Sequence, residues 1–82
     1  MTETMVLELL SDTPLSGKEI ALYCRVCEVH HINIHQLHYL FHQQMGQAVL
    51  RLQLDSSDIR ELPSTLQVFR PITLPIGFTA HP

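Results

Sequence analysis

The residues best equipped for chemistry lie close together. Cys24-x-x-Cys27-x-x-His30-His31 sets two thiols three residues apart, with imidazoles one helical turn later. Such a set could supply three or four ligands to a tetrahedral zinc ion. The flanking residues are ordinary helix formers, however, rather than the turn that usually bends the backbone around zinc. No second Cys-x-x-Cys follows. Two cysteines on the buried face of an amphipathic helix, acting as small hydrophobes, is the simpler reading. Cys24, Cys27, His30 and His31 are kept as the metal-binding alternative, with zinc as its cofactor. Otherwise no cofactor is expected. A second series, His31, His35, His38 and His42, would form a stripe on a helix, suited to a metal or to an acid-triggered switch. On a strand it would split between two faces. There is no glycine-rich phosphate loop, no Gly-x-Ser-x-Gly and no electropositive setting for a thiol, so the chain does not point to an enzyme.

The elements that must carry these residues centre on His30 to Leu54, which holds five of the six histidines. Met5 to Leu10 (MVLELL) has strand length and ends in the turn signal Ser11-Asp12-Thr13-Pro14. Ser16-Gly17-Lys18-Glu19 has capping-box spacing. The helix it opens, to about Val29, places Ile20, Tyr23, Cys24 and Cys27 on one face. No glycine marks its end. Ile32 to His42 fits two templates. At period two, Ile32, Ile34 and Leu40 share a face with Gln36, His38 and His42, opposite Leu37, Tyr39 and Phe41. At period 3.6, Ile34, Leu37, Phe41 and Met45 form a stripe. The strand is preferred because Ile, Tyr and Phe suit a pleated surface, and it leaves a hairpin turning at Gln43 to Gln47.

Ala48 to Leu54 alternates as a half-buried strand. Asp55-Ser56-Ser57-Asp58 should cap a short helix from Ile59, with Asp58 and Glu61 at capping-box spacing, and Pro63 breaks it or opens another turn. Val68 to Phe78 carries Pro71 and Pro75, which suits an edge strand or an extended arm. The order strand, helix, strand, strand, helix, strand makes an α+β fold. It predicts a ferredoxin-like βαββαβ split sandwich, an antiparallel sheet with helices on one face. The chain is read as one domain over residues 1–82, with residues 71–82 a proline-bearing arm.

The totals narrow the function classes. A chain of 82 residues has a small core, for which self-pairing is a common remedy. With net charge −3 and five scattered basic residues, it offers no clustered positive face for nucleic acid. Six histidines, with a reference pKa of ~6.5, would bring the net charge to about +3 in mild acid. The apolar runs are shorter than the ~20 residues of a membrane helix, and MTETMVLELLSD lacks the features of a signal peptide. A cytoplasmic protein with reduced thiols, free of nucleic acid and membrane insertion, is expected.

The run MVLELLSDTPLSGKEIALYCRVCEVHHINIHQLHYLFHQQMGQAVLRLQLDSSD resembles an ACT-type regulatory domain. Within that group it is most similar to the NIL variety attached to methionine-importing transport ATPases. The likeness rests on an opening strand, a polar turn, a four-turn helix, Asn33-Ile34 opening the second strand, Gly46 before an alternating strand, and an acidic-serine segment. The third letter of the Asn-Ile-Leu signature is His35 here, and no glycine stands between Leu10 and Leu15. The resemblance implies a non-catalytic homodimeric module that senses an amino acid or similar metabolite. By position, Asp12, Thr13, Leu15, Asn33 and His35 would line its pocket. Two alternatives stand beside it: an adaptor that binds another protein by a sheet edge or the C-terminal arm, and a metal-dependent Cys/His interaction domain. A helix-turn-helix reading fares worse, because its second helix would present histidines and glutamines without Arg or Lys.

Overall fold

The computed structural model describes residues 3–73. Strand β1 spans Thr4–Ser11, helix α1 Gly17–Val29, strand β2 Ile34–His42 and strand β3 Gln47–Asp55. Two 3-10 helices, Ser56–Glu61 and Ser64–Val68, lead to the short strand β4, Arg70–Ile72. The four strands make one sheet in the order β2-β3-β1-β4, and each neighbouring pair is antiparallel. The fold is therefore α+β, with a four-stranded antiparallel sheet and one α-helix among the described residues.

The capping box forms as its spacing predicts: Ser16 Oγ accepts from the Glu19 amide at 3.1 Å, and Glu19 Oε1 reaches back to the Ser16 amide. The helix ends without glycine. His31 takes a left-handed φ of 58°, its amide donates to the Glu28 carbonyl, and the Ile32 amide donates to the Cys27 carbonyl at 2.8 Å. This is the Schellman arrangement, closed by the buried Ile32 side chain. A left-handed non-glycine residue costs ~1–2 kcal/mol, which exceeds the extra unfolded-state entropy of glycine. His31→Gly should therefore raise unfolding free energy by about 0.5–1 kcal/mol in urea titration. An unchanged or lower value would mean that the imidazole makes a compensating contact.

The preferred strand over the central histidine segment is present, but with its first residues in the other phase. A bulge between Ile34 and Gln36 takes His35 out of the alternation. Ile34 thus pairs with Leu54, Leu37 with Leu52, Tyr39 with Leu50 and Phe41 with Ala48, all on one face. Gln36, His38, Leu40 and His42 occupy the other. A four-residue turn, Gln43 to Gly46, joins β2 to β3, and Gly46 supplies its positive φ of 62°.

Strand β3 alternates without a break, with Ala48, Leu50, Leu52 and Leu54 buried. Its burial completes a core with Leu7 from β1, Cys27 from α1, and Leu66 and Phe69 from the closing segment. Tyr23 of α1 meets Phe69 edge to face, with ring centroids 5.0 Å apart. The short helix expected from about Ile59 is a 3-10 helix and starts earlier, at Ser56; Asp55 at its N-cap makes no capping bond, because its carboxylate faces His35. Pro63 then ends that turn and opens the second 3-10 helix, whose Leu66 is fully buried. Pro71 sits on β4 at the sheet edge, where a missing donor is tolerated. The remainder of the expected arm, residues 74–82, lies outside the described residues.

Candidate functional site

The five residues at which the resemblance places a ligand pocket fall into two groups. Asp12 and Thr13 are exposed in the turn after β1, where the Ser11 hydroxyl donates to the Thr13 carbonyl at 2.8 Å. Leu15 follows, and its amide donates to the Tyr39 hydroxyl at 2.9 Å. Asn33 and His35 lie at the start of β2. Registers place the two groups at opposite ends of the sheet, because Ser11 is level with Ala48 and Phe41, whereas Ile34 is level with Leu54. Six residues of β3 separate those levels, roughly 20 Å at ~3.3 Å per residue. Within one protomer they do not share a cavity. His35 is also engaged: its Nε2 lies 2.6 Å from Asp55 Oδ1. A histidine–carboxylate pair can orient a general base, but among the described residues no hydroxyl or thiol bonds to that imidazole.

The Leu15–Tyr39 bond is the one side-chain tie between the first loop and β2 among the described residues. Period-two counting puts Tyr39 on one face with Leu37 and Phe41, and it carries no sign that the hydroxyl turns to the loop. Tyr39→Phe should lower stability by about 1 kcal/mol. It should also speed amide exchange at Leu15, and an unchanged exchange rate there would show that the bond holds nothing.

The Cys-x-x-Cys-x-x-His-His set is dispersed. Cys27 is buried, Cys24 is half-buried, and His30 and His31 are exposed at the helix end. No group of three or more potential ligands is assembled among the described residues. Burial pushes the Cys27 thiol up from its ordinary value, and the neighbouring Cys24 and Asp58 add to the shift. A raised thiol pKa favours the neutral form in the folded state. Its contribution to stability is full below the unfolded thiol's pKa of ~8.5 and is lost as pH rises through the folded value. Iodoacetamide at neutral pH should therefore modify Cys24 well before Cys27, whose labelling should follow the unfolding rate. Equal rates would contradict the buried placement.

On the sheet face away from α1, one row crosses all four strands: His38, Arg51, Glu8 and Arg70 stand side by side. Glu8 is only 8% exposed. Its carboxylate accepts from Arg51 Nε at 3.0 Å and lies 3.8 Å from Arg70 Nη2. A parallel row, Leu40, Val49 and Leu10, runs beside it. In the sequence, Glu8 interrupts the apolar run MVLELL and has no local partner. A signal was nevertheless available: matching the leucines of MVLELL antiparallel to those of AVLRLQL puts Glu8 opposite Arg51.

The two edges of the sheet differ. Strand β4 has three residues and a proline, whereas β2 has nine residues and no Lys, Arg, Asp, Glu, Pro or Gly. Natural edges are usually blunted by charge, proline or shortness. Apart from the bulge at its start, β2 carries no Lys, Arg, Asp, Glu or proline to blunt it, and it is not short. Elsewhere, His30, Ile32, Ser57, Asp58, Arg60 and Glu61 line an open cleft of about 420 Å³. It includes one residue of the alternative metal set and none of the five ligand candidates. No described helix is long and apolar enough to cross a membrane. No family model, curated protein or solved structure matches this chain.

Proposed function

We propose that this chain is a non-catalytic regulatory module that works as a homodimer, with β2 of one copy adding to β2 of another. The carrying observation is the nine-residue edge without a blocking charge or proline, set against an opposite edge of three residues that contains Pro71. An open edge presents a row of backbone donors and acceptors, and strand addition satisfies them. A second copy suits the edge because antiparallel pairing about a two-fold axis keeps like faces together. The core-side residues Leu37, Tyr39 and Phe41 then join the core-side residues of the second copy, and the outer-face Leu40 joins the outer face of its partner strand. We read the fold as a ferredoxin-like split βαββαβ arrangement, with two 3-10 helices in the place of the second helix. The order β4-β1-β3-β2 with antiparallel neighbours supports that reading.

Sedimentation equilibrium of the full chain across micromolar to millimolar concentrations tests the pairing, with amide exchange followed over Ile34 to His42. Dimerisation with added protection along β2 is expected, and Leu40→Lys, at a position already 45% exposed, should abolish it without unfolding the monomer. A wild-type chain monomeric throughout that range sinks the proposal.

A ligand-sensing role would fall to the cleft beside the first 3-10 helix rather than to a pocket spanning the sheet. Arg60 stands there with Asp58 and Glu61, a combination suited to a small molecule carrying both charges. Calorimetric titration with amino acids, repeated on Arg60→Ala, tests this second role: heat that survives the substitution would place the ligand elsewhere.

A further inference from the structure

Resting on β2 as the pairing edge, we infer that pairing is broken by acid through His38 and His42, so that the module separates as these imidazoles take up protons. Side chains sharing a face across an antiparallel seam must pair at even offsets. The two-fold axis can then pass through His38, Tyr39 or Leu40. Centred on His38, the two His38 rings are directly opposed. Centred on Leu40, His38 faces His42 of the second copy. Centred on Tyr39, His38 faces Leu40 and has both His38 and His42 of the second copy on its diagonals. Each register gathers four imidazoles on one side of the seam. Direct pairs lie ~4.5–5.5 Å apart and diagonal pairs ~7–8 Å, close enough for like charges to repel.

Among the described residues, the charges that neighbour His38 and His42 do not cancel that repulsion. On the same face, His38 lies beside Arg51 of β3, followed by Glu8 of β1 and Arg70 of β4, so the row next to it already carries two cations and one anion. His42 lies beside uncharged Gln47. The opposite side of the seam holds Leu37, Tyr39 and Phe41. His35 is a different case, because Asp55 faces its ring and would balance its proton. Histidine as a residue type changes charge between about pH 5 and 8. Protons taken up by His38 and His42 would add positive charge to an edge that holds no Lys, Arg, Asp or Glu, and charge is one of the devices that keep natural edges apart.

Sedimentation equilibrium at pH 7.5 and pH 5.5, at constant ionic strength and with circular dichroism as the fold control, tests the inference. The wild-type dimer Kd should rise about tenfold or more in acid, the size expected from two like-charge contacts on a sheet face. His38→Gln/His42→Gln should pair with a Kd that no longer responds to pH. His38→Lys, which fixes the charge, should weaken pairing at pH 7.5 by a comparable factor, an arm that needs no acid. A wild-type Kd equal at both pH values, a double variant that still responds, or a lysine variant that pairs normally would overturn the proton-driven separation while leaving the β2 dimer in place. Failure to dimerise at pH 7.5 would overturn both.

Discussion

Leu52→Ala should destabilise the chain by about 3–4 kcal/mol, near the upper half of the range for buried leucines. Leu52 is fully buried on β3, an inner strand, level with Leu7 of β1 and Leu37 of β2. Backbone on both sides is fixed by the sheet, so the space left by three lost carbons cannot close easily. An 82-residue domain has a total stability on the order of 4–12 kcal/mol, and the loss should lower Tm by roughly 20 °C. Leu40→Ala is the matched control: the same atoms are removed, but from a side chain 45% exposed on the opposite face, and the change should stay under ~1 kcal/mol. Urea unfolding with a constant m-value distinguishes the two. Equal losses would mean that the leucine row of β3 does not face the core.

Much of this fold was legible because local signals and burial agreed. The alternation from Ala48 to Leu54 named a half-buried strand and its buried face correctly, since nothing interrupts the pleat. Ser16 and Glu19 named the start of α1 for the same reason: the capping bonds are local. The errors occurred where a distant partner decided a local outcome. Asp55 does not cap the following turn because His35, twenty residues earlier, holds its carboxylate, and an acidic-serine segment cannot reveal that. The bulge at His35 reversed the expected face of Ile34, since period-two counting has no way to register an inserted residue. His31 ends α1 in a conformation that glycine would normally signal.

The candidate site is less legible in the sequence than the elements are. The resemblance to ACT-type domains groups Asp12, Thr13, Leu15, Asn33 and His35, whereas the register of β1, β3 and β2 sets them at two ends of one sheet. The histidine series divides as a strand requires, with His38 and His42 sharing the outer face and His35 drawn to Asp55. What the sequence did hold, unread, was the contrast between the two edges. It is visible as nine residues without a charge or proline in β2 against Arg70-Pro71-Ile72 in β4.

Glu8→Ala should be the second most damaging of these substitutions, at about 2–4 kcal/mol. Removing one member of a buried ion pair exposes the desolvation that the pair had offset. Glu8 has a side chain only 9% exposed, between Arg51 on one neighbouring strand and Arg70 on the other. Without it, two guanidinium groups face one another across the position. The two contacts are unequal. Arg51 is 28% exposed and bonds at 3.0 Å, while Arg70 is 69% exposed at 3.8 Å, so Arg70→Ala should cost under ~1 kcal/mol. A double-mutant cycle in which Glu8 and Arg51 are each replaced by leucine should return a coupling of ~1–3 kcal/mol, with the double variant more stable than Glu8→Leu alone. Zero coupling would make the row an accident of the pleat. The same carboxylate also tempers the positive charge beside His38, the next residue in that row. Glu8→Gln, which keeps the shape and removes the charge, should therefore weaken β2 pairing in acid more than at neutral pH. Stability and assembly would then share one electrostatic row, read at its centre by unfolding and at its end by dimerisation.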